Sequence, residues 1–291
     1  MKKTLYLLLI LCVTTLLGCQ HEDVYNPKEK ILSIMDYQYS SKTPYISFIY
    51  DQEKISKAVF YDQSKFQFEY NEDDQVTIIY GFTGNQSYGH VNMTYIDKKL
   101  SKVEYFDNSN RLFQMDTFLR YHGDIYAYKT FMTGLIKNAK ENFLNESQLY
   151  KTYMNQQNMA VAQKVIEMTK GDLIYLSYTN VKYTKDNITE LETVYQNGFT
   201  TLSKFTYDDQ KNPLYGLPFA LVDYLKFPSS PLTSYCKNNF KSSTYAEYYE
   251  TPVTGTTTTY DLVYQKNDYL SQIYTNTMLD TYLRWQFNYV E

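Results

Sequence analysis

Apolar and polar residues alternate with a period of two along most of the chain. Phe48-Ile49-Tyr50, Phe68-Glu69-Tyr70 and Met93-Thr94-Tyr95 each put two large side chains on one face of a strand. A short polar loop follows each copy, and an apolar-Ser/Thr pair then opens the next strand: Ile55-Ser56, Val76-Thr77 and Leu100-Ser101. Val181-Lys182-Tyr183 to Ile188-Thr189 and Leu262-Val263-Tyr264 to Leu270-Ser271 repeat the unit, and Phe205-Thr206-Tyr207 opens a copy that departs into Asn212-Pro213. The unit reads as a β-hairpin, with loops such as Asp51-Gln52-Glu53-Lys54 reversing the chain. Asn197-Gly198 is a further tight-turn signal. Hairpins at this spacing predict an antiparallel β-meander that curls or closes to limit its exposed edges.

Two stretches break the pattern. Residues 135–170 lack the repeat, and Phe143, Tyr150 and Met154 at helical spacing predict a helix near 137–154. Residues 212–232 hold Pro213, Pro218, Pro228 and Pro231, with apolar Phe219 to Leu225 between them. They read as a long structured connection carrying about one helical turn. Strands are expected again at roughly 243–250, 257–265, 269–276 and 281–290, the last with Trp285 in the core. The fold class is mostly β: Tyr-rich hairpins in a curved sheet or barrel-like structure, with one or two short helices.

The N-terminus has its own pattern. Lys2 and Lys3 precede an uncharged stretch, Leu5 to Leu17, which is too short to span a bilayer as a helix. It ends in Leu16-Leu17-Gly18-Cys19, which resembles the lipobox of bacterial lipoproteins. The expected organisation is a signal peptide over 1–18, a lipidated Cys19 opening a tether over 19–30, and one β-domain over 31–291. The implied address is the bacterial outer membrane, on its periplasmic or cell-surface side, with membrane lipid as the partner of Cys19.

Composition narrows the picture. The 34 tyrosines and 16 phenylalanines, beside one tryptophan, suit strands whose aromatic rings cover a half-buried pleat. A net charge of −4 without a basic stripe argues against nucleic acid as partner. Of the three cysteines, Cys12 leaves with the signal and Cys19 takes lipid. Only Cys236 remains, so no internal disulfide can form in the processed chain.

Residues able to do chemistry are sparse. His21 falls in the tether, and His90 and His122 lie beside expected turns. No His-x-His or Glu-x-x-His spacing suggests a metal, and no Gly-x-Ser-x-Gly supports a triad. Cys236 reads as a structural thiol. The acidic runs Glu72-Asp73-Asp74 and Asp208-Asp209 lack calcium-loop spacing and read as solvated tips. No catalytic residue, metal ligand or cofactor is expected.

The lipobox, the hairpins and the segment Phe205-Thr206-Tyr207-Asp208-Asp209-Gln210-Lys211-Asn212-Pro213-Leu214-Tyr215-Gly216-Leu217-Pro218 together resemble a lipoprotein family of anaerobic gut bacteria. That family is a domain of unknown function described as having a porin-like β-fold. The resemblance implies the fold and the anchor and carries over no functional residues. Strands such as Asn92-Met93-Thr94-Tyr95 and Thr256 to Thr259 are too polar to face lipid, so a soluble curved sheet is expected. Three functional readings stand, in this order: a non-catalytic binding or scaffold protein meeting a glycan or an envelope protein, a carrier of an apolar ligand, and a hydrolase with a scattered site. The ligand-binding residues are not legible.

Overall fold

The computed structural model describes residues 30–38, 42–121, 124–133, 173–184, 186–225, 231–249, 254–265, 268–276 and 281–290. The first strands are β1 (Ile31–Asp36), β2 (Ile46–Asp51), β3 (Lys54–Phe60), β4 (Ser64–Tyr70), β5 (Val76–Thr83) and β6 (Gln86–Ile96). Next come β7 (Lys99–Asp107), β8 (Leu112–Tyr121), β9 (Asp124–Thr133), β10 (Leu173–Thr184), β11 (Asn187–Tyr195) and β12 (Thr200–Lys211). The last four are β13 (Asn238–Tyr248), β14 (Thr256–Tyr264), β15 (Leu270–Asn276) and β16 (Thr281–Tyr289). Each strand pairs antiparallel with its chain neighbours, and β16 pairs with β1. The expected meander therefore closes into a barrel of 16 strands and leaves no edge. The expected helix near 137–154, His21, His122 and Cys19 lie outside the described residues.

The repeat seen in the sequence is a ring of clasps at one barrel end. In each copy the Tyr sits where its strand ends and the pairing slips by one residue, as at Ile49/Tyr50, Glu69/Tyr70, Thr94/Tyr95 and Val263/Tyr264. The ring then reaches back to the main chain of the preceding strand. Tyr50, Tyr70, Tyr95 and Tyr289 donate from Oη to the carbonyls of Ile31, Ile55, Val76 and Leu270 at 2.9, 2.8, 2.9 and 2.7 Å. Tyr207 does the same to Ile188. Each apolar residue that opens a strand thus packs in the core while its carbonyl is satisfied by the next repeat's tyrosine. On β8 the place is taken by Arg120, whose Nε and Nη2 both donate to the Leu100 carbonyl at 3.1 and 3.0 Å. The chain enters at this clasped end, where the Val290 amide bonds the Lys30 carbonyl at 2.9 Å.

The proline-rich connection between β12 and β13 plugs the barrel from the same end. It holds α1 (Phe219–Leu225) and a 3-10 turn, Pro231–Tyr235, two short helical pieces where one turn was expected. Leu214, Leu217, Leu221, Val222, Leu225 and Leu232 are buried in one cluster with the inward residues of the strands. Phe219 meets Phe118 of β8 edge-to-face at 5.0 Å. Wide barrels otherwise leave an open channel. Here the apolar plug packs against inward aromatics such as Phe48, Phe66, Phe205 and Trp285 in one buried cluster.

The outer wall carries charged and polar residues between exposed apolar ones such as Leu32, Ile49 and Val263. On β4, Lys65, Gln67 and Glu69 alternate with buried Ser64, Phe66 and Phe68. A cross-strand row Lys182–Glu190–Lys204–Thr244–Thr257 runs over β10 to β14. It is joined by ion pairs of 2.5 and 3.5 Å and by a hydroxyl pair of 2.8 Å.

Candidate functional site

Two glycines on adjacent strands open space at the other barrel end, called the mouth here. Gly81 of β5 and Gly89 of β6 are cross-strand partners. Gly89 has φ +145°, and a Cβ there would lie 2.1 Å from the Phe106 carbonyl oxygen. Only glycine lets β6 approach β7 this closely. A Cβ on Gly81 would lie 2.4 Å from the Tyr88 ring, so the missing side chain is the seat of that ring. Tyr88 lies over the gap, 40% exposed at the mouth.

Beneath it is a cavity of about 580 Å³, within the range of small-molecule sites. Tyr45, Phe66, Tyr88, Phe113 and Tyr105 give it aromatic walls, and Gln114 with Asp223 of α1 supplies polar groups. The plug thus forms the floor of the cavity. Tyr105 donates to Asp223 Oδ2 at 3.2 Å. Tyr45 packs edge-on against Trp285 at 6.2 Å, which puts the sole tryptophan one ring away from the cavity.

A second acid lies beside the floor. Asp116 of β8 is 3% exposed, and it accepts from Thr130 Oγ1 at 2.7 Å and Gln114 Nε2 at 3.1 Å. Burial, with the nearby charge of Asp223, pushes its carboxyl up to about 7 against the hydrogen bonds that lower it. Burial also raises the Tyr105 and Tyr128 hydroxyls, which stay protonated. The site can therefore offer a carboxylate, an amide and phenol hydroxyls to a ligand held between rings.

Sequence reasoning missed these residues. His90, expected to have a turn or surface role, is instead in mid-strand and lines the cavity, stacked on Phe106 at 4.6 Å with Tyr80 on its other side at 6.0 Å. Cys236 is fully buried in the plug beside Tyr207, and burial pushes its thiol up to about 11. That is an inert, structural thiol. Asp73 and Asp74 are solvated turn residues paired with Lys98 and Lys54. Asp208 corrects the expectation of a solvated tip: it lies within β12 and accepts from Tyr264 and from the Asn239 amide. It completes the clasp where the plug interrupts the repeat. No group of three metal-binding side chains occurs among the described residues.

No known protein family matches the sequence, and no curated protein does. Among solved structures, a porin-like protein from Bacteroides vulgatus superposes with a TM-score of 0.53 at 8% identity, over 90% of this chain and 99% of that one. A porin-like protein from Bacteroides uniformis gives a TM-score of 0.41 at 10% identity, over 84% and 94% of the two chains. The first likeness shows a shared barrel fold.

Proposed function

We propose that this chain is a non-catalytic binding protein of the bacterial envelope, held to the membrane through lipid on Cys19, that takes a small ring-bearing ligand in its mouth. The observation that carries the reading is the aromatic-walled cavity of about 580 Å³ at the mouth, floored by the plug. Aromatic walls with a few convergent polar groups are the usual make-up of a ligand site. The polar wall supports a barrel that stands in water beside the membrane, because Lys and Glu facing lipid are costly. Lys30, the first described residue, lies at the clasped end, so a tether over 19–30 would leave the barrel opposite the mouth. The apolar plug occupying the clasped end weighs against a large apolar cargo, and Cys236, buried in that plug, and His90, stacked between rings, form no nucleophile and base pair.

The test uses residues 20–291 without lipid, screened on a glycan array and against small cyclic compounds, with Trp285 fluorescence as readout. A saturable ligand that Tyr88→Ala weakens at least tenfold is the expected result. A ligand indifferent to Tyr88→Ala and to Gly81→Val would overturn the cavity as its site. The same protein is expected to stay monomeric in buffer without detergent, and a requirement for detergent would overturn the reading of the wall. For the anchor, Cys19→Ala in cells is expected to move the protein from the membrane fraction to the soluble one.

A further inference from the structure

Resting on that reading, we infer that the ligand of the mouth cavity is a small organic cation, an amine or quaternary ammonium carried on a ring. Three features of the lining point the same way. The walls are aromatic: Tyr45, Phe66, Tyr88, Tyr105 and Phe113 surround the space. Ring faces attract a cation electrostatically, more so where water is scarce. The floor holds Asp223, aimed from α1 and oriented by the Tyr105 hydroxyl. No Lys or Arg is among the described lining residues, and the one imidazole there, His90, is stacked against Phe106 with Tyr80 beside it, so Asp223 is the one carboxylate of the described lining and no ammonium or guanidinium faces it there.

The chemistry beneath the floor agrees. Asp116 and Asp223 lie close enough that the charge of one raises the proton affinity of the other. A cation above Asp223 would relieve that repulsion, whereas a neutral ring would leave it in place and a carboxylate would add to it. The buried stack holds Asp116 from both sides through Thr130 and Gln114. Gln114 lines the cavity as well, so the amide couples the two layers.

Three probes of matched shape separate the outcomes: phenethylamine, phenethyl alcohol and 3-phenylpropionate, titrated at neutral pH into residues 20–291 and read by Trp285 fluorescence and calorimetry. The expected order is amine tightest, alcohol at least tenfold weaker, and carboxylate without saturable binding. Asp223→Asn keeps an acceptor for Tyr105 and removes the charge, so it should bring the amine and alcohol within about twofold of each other. Equal binding of amine and alcohol by the unmodified protein, or tightest binding of the carboxylate, overturns the charge inference and leaves the cavity reading standing. Failure of all three probes, together with a ligand from the broader screen that ignores Tyr88→Ala, overturns both. The unmodified protein's amine-to-alcohol ratio decides the matter even should Asp223→Asn fail to fold.

Discussion

The two ends of this barrel are built from the same strands by opposite rules. At the clasped end, β2, β4 and β6 carry in their last two residues a tyrosine whose hydroxyl closes a main-chain carbonyl, and the plug packs its apolar residues into the core. At the mouth, β5 and β6 carry Gly81 and Gly89 where side chains would otherwise pack, and rings stand around a space. One end repeats a unit and satisfies its polar atoms within itself. The other departs from the unit and leaves aromatic and carboxyl groups facing a cavity. The difference teaches that the repeat is the scaffold and that function, where this chain has one, sits in the departures.

The plug joins the two ends, so the largest effect is expected there. Leu221 of α1 is fully buried among strand residues. Leu221→Ala should cost about 2–5 kcal/mol and loosen the cavity floor along with the clasps. Urea denaturation measures the loss. An effect below about 1 kcal/mol would mean that α1 is not part of the cooperative core.

Next in size is the buried acid of the mouth. Asp116 keeps its proton in the folded chain up to about pH 7, whereas an unfolded aspartic acid loses it near 4. Between those values the native state binds the extra proton, so raising the pH favours unfolding. Stability should fall across this window by roughly 2–4 kcal/mol and level off above it. Asp116→Asn should flatten the slope and be the more stable form at pH 8. Denaturation midpoints at pH 5 and pH 8 for both proteins decide it, and parallel slopes would remove Asp116 as the cause.

How much of this could be read from the chain follows from the range of each interaction. The hairpins were legible because apolar-x-Tyr, a polar loop and apolar-Ser/Thr all lie within ten or so residues. Closure was not, because pairing of Ile34 with Phe287 joins the two ends of the domain and leaves no local mark. Arg120 was missed because a guanidinium does a tyrosine's work from the same position, after Phe118 in the same apolar-x-polar pattern. The mouth had a faint signal: Gly81 and Gly89 are isolated glycines inside strand patterns, which suggests a close approach. Asp116, two residues before the inward Phe118, is an acid on an apolar face, and its alternation alone marked it for burial.

Arg120→Leu comes third. It leaves the Leu100 carbonyl without its two donors, so a loss of about 1–3 kcal/mol is expected. Ligand affinity at the mouth should change little. A variant that folds with full stability but loses ligand would place the site at the wrong end of the barrel.

The smallest effect gives the sharpest comparison, because one hydroxyl is removed from each end. Tyr70 donates to the Ile55 carbonyl at 2.8 Å, and burial pushes its hydroxyl upward, so both the ring and the oxygen are committed to the fold. Tyr88 lies over Gly81 with much of its surface in water. Tyr70→Phe keeps the ring and strands a carbonyl, so it should cost about 1 kcal/mol and leave ligand affinity unchanged. Tyr88→Phe keeps the ring on its Gly81 seat at a position 40% exposed, so stability should stay within about 0.5 kcal/mol. For a ligand held through the ring face, Tyr88→Phe should also bind as the unmodified protein does, whereas Tyr88→Ala should not. If Tyr88→Phe proved as destabilising as Tyr70→Phe, the mouth would be clasped like the other end, and the contrast between structural and functional tyrosines would collapse.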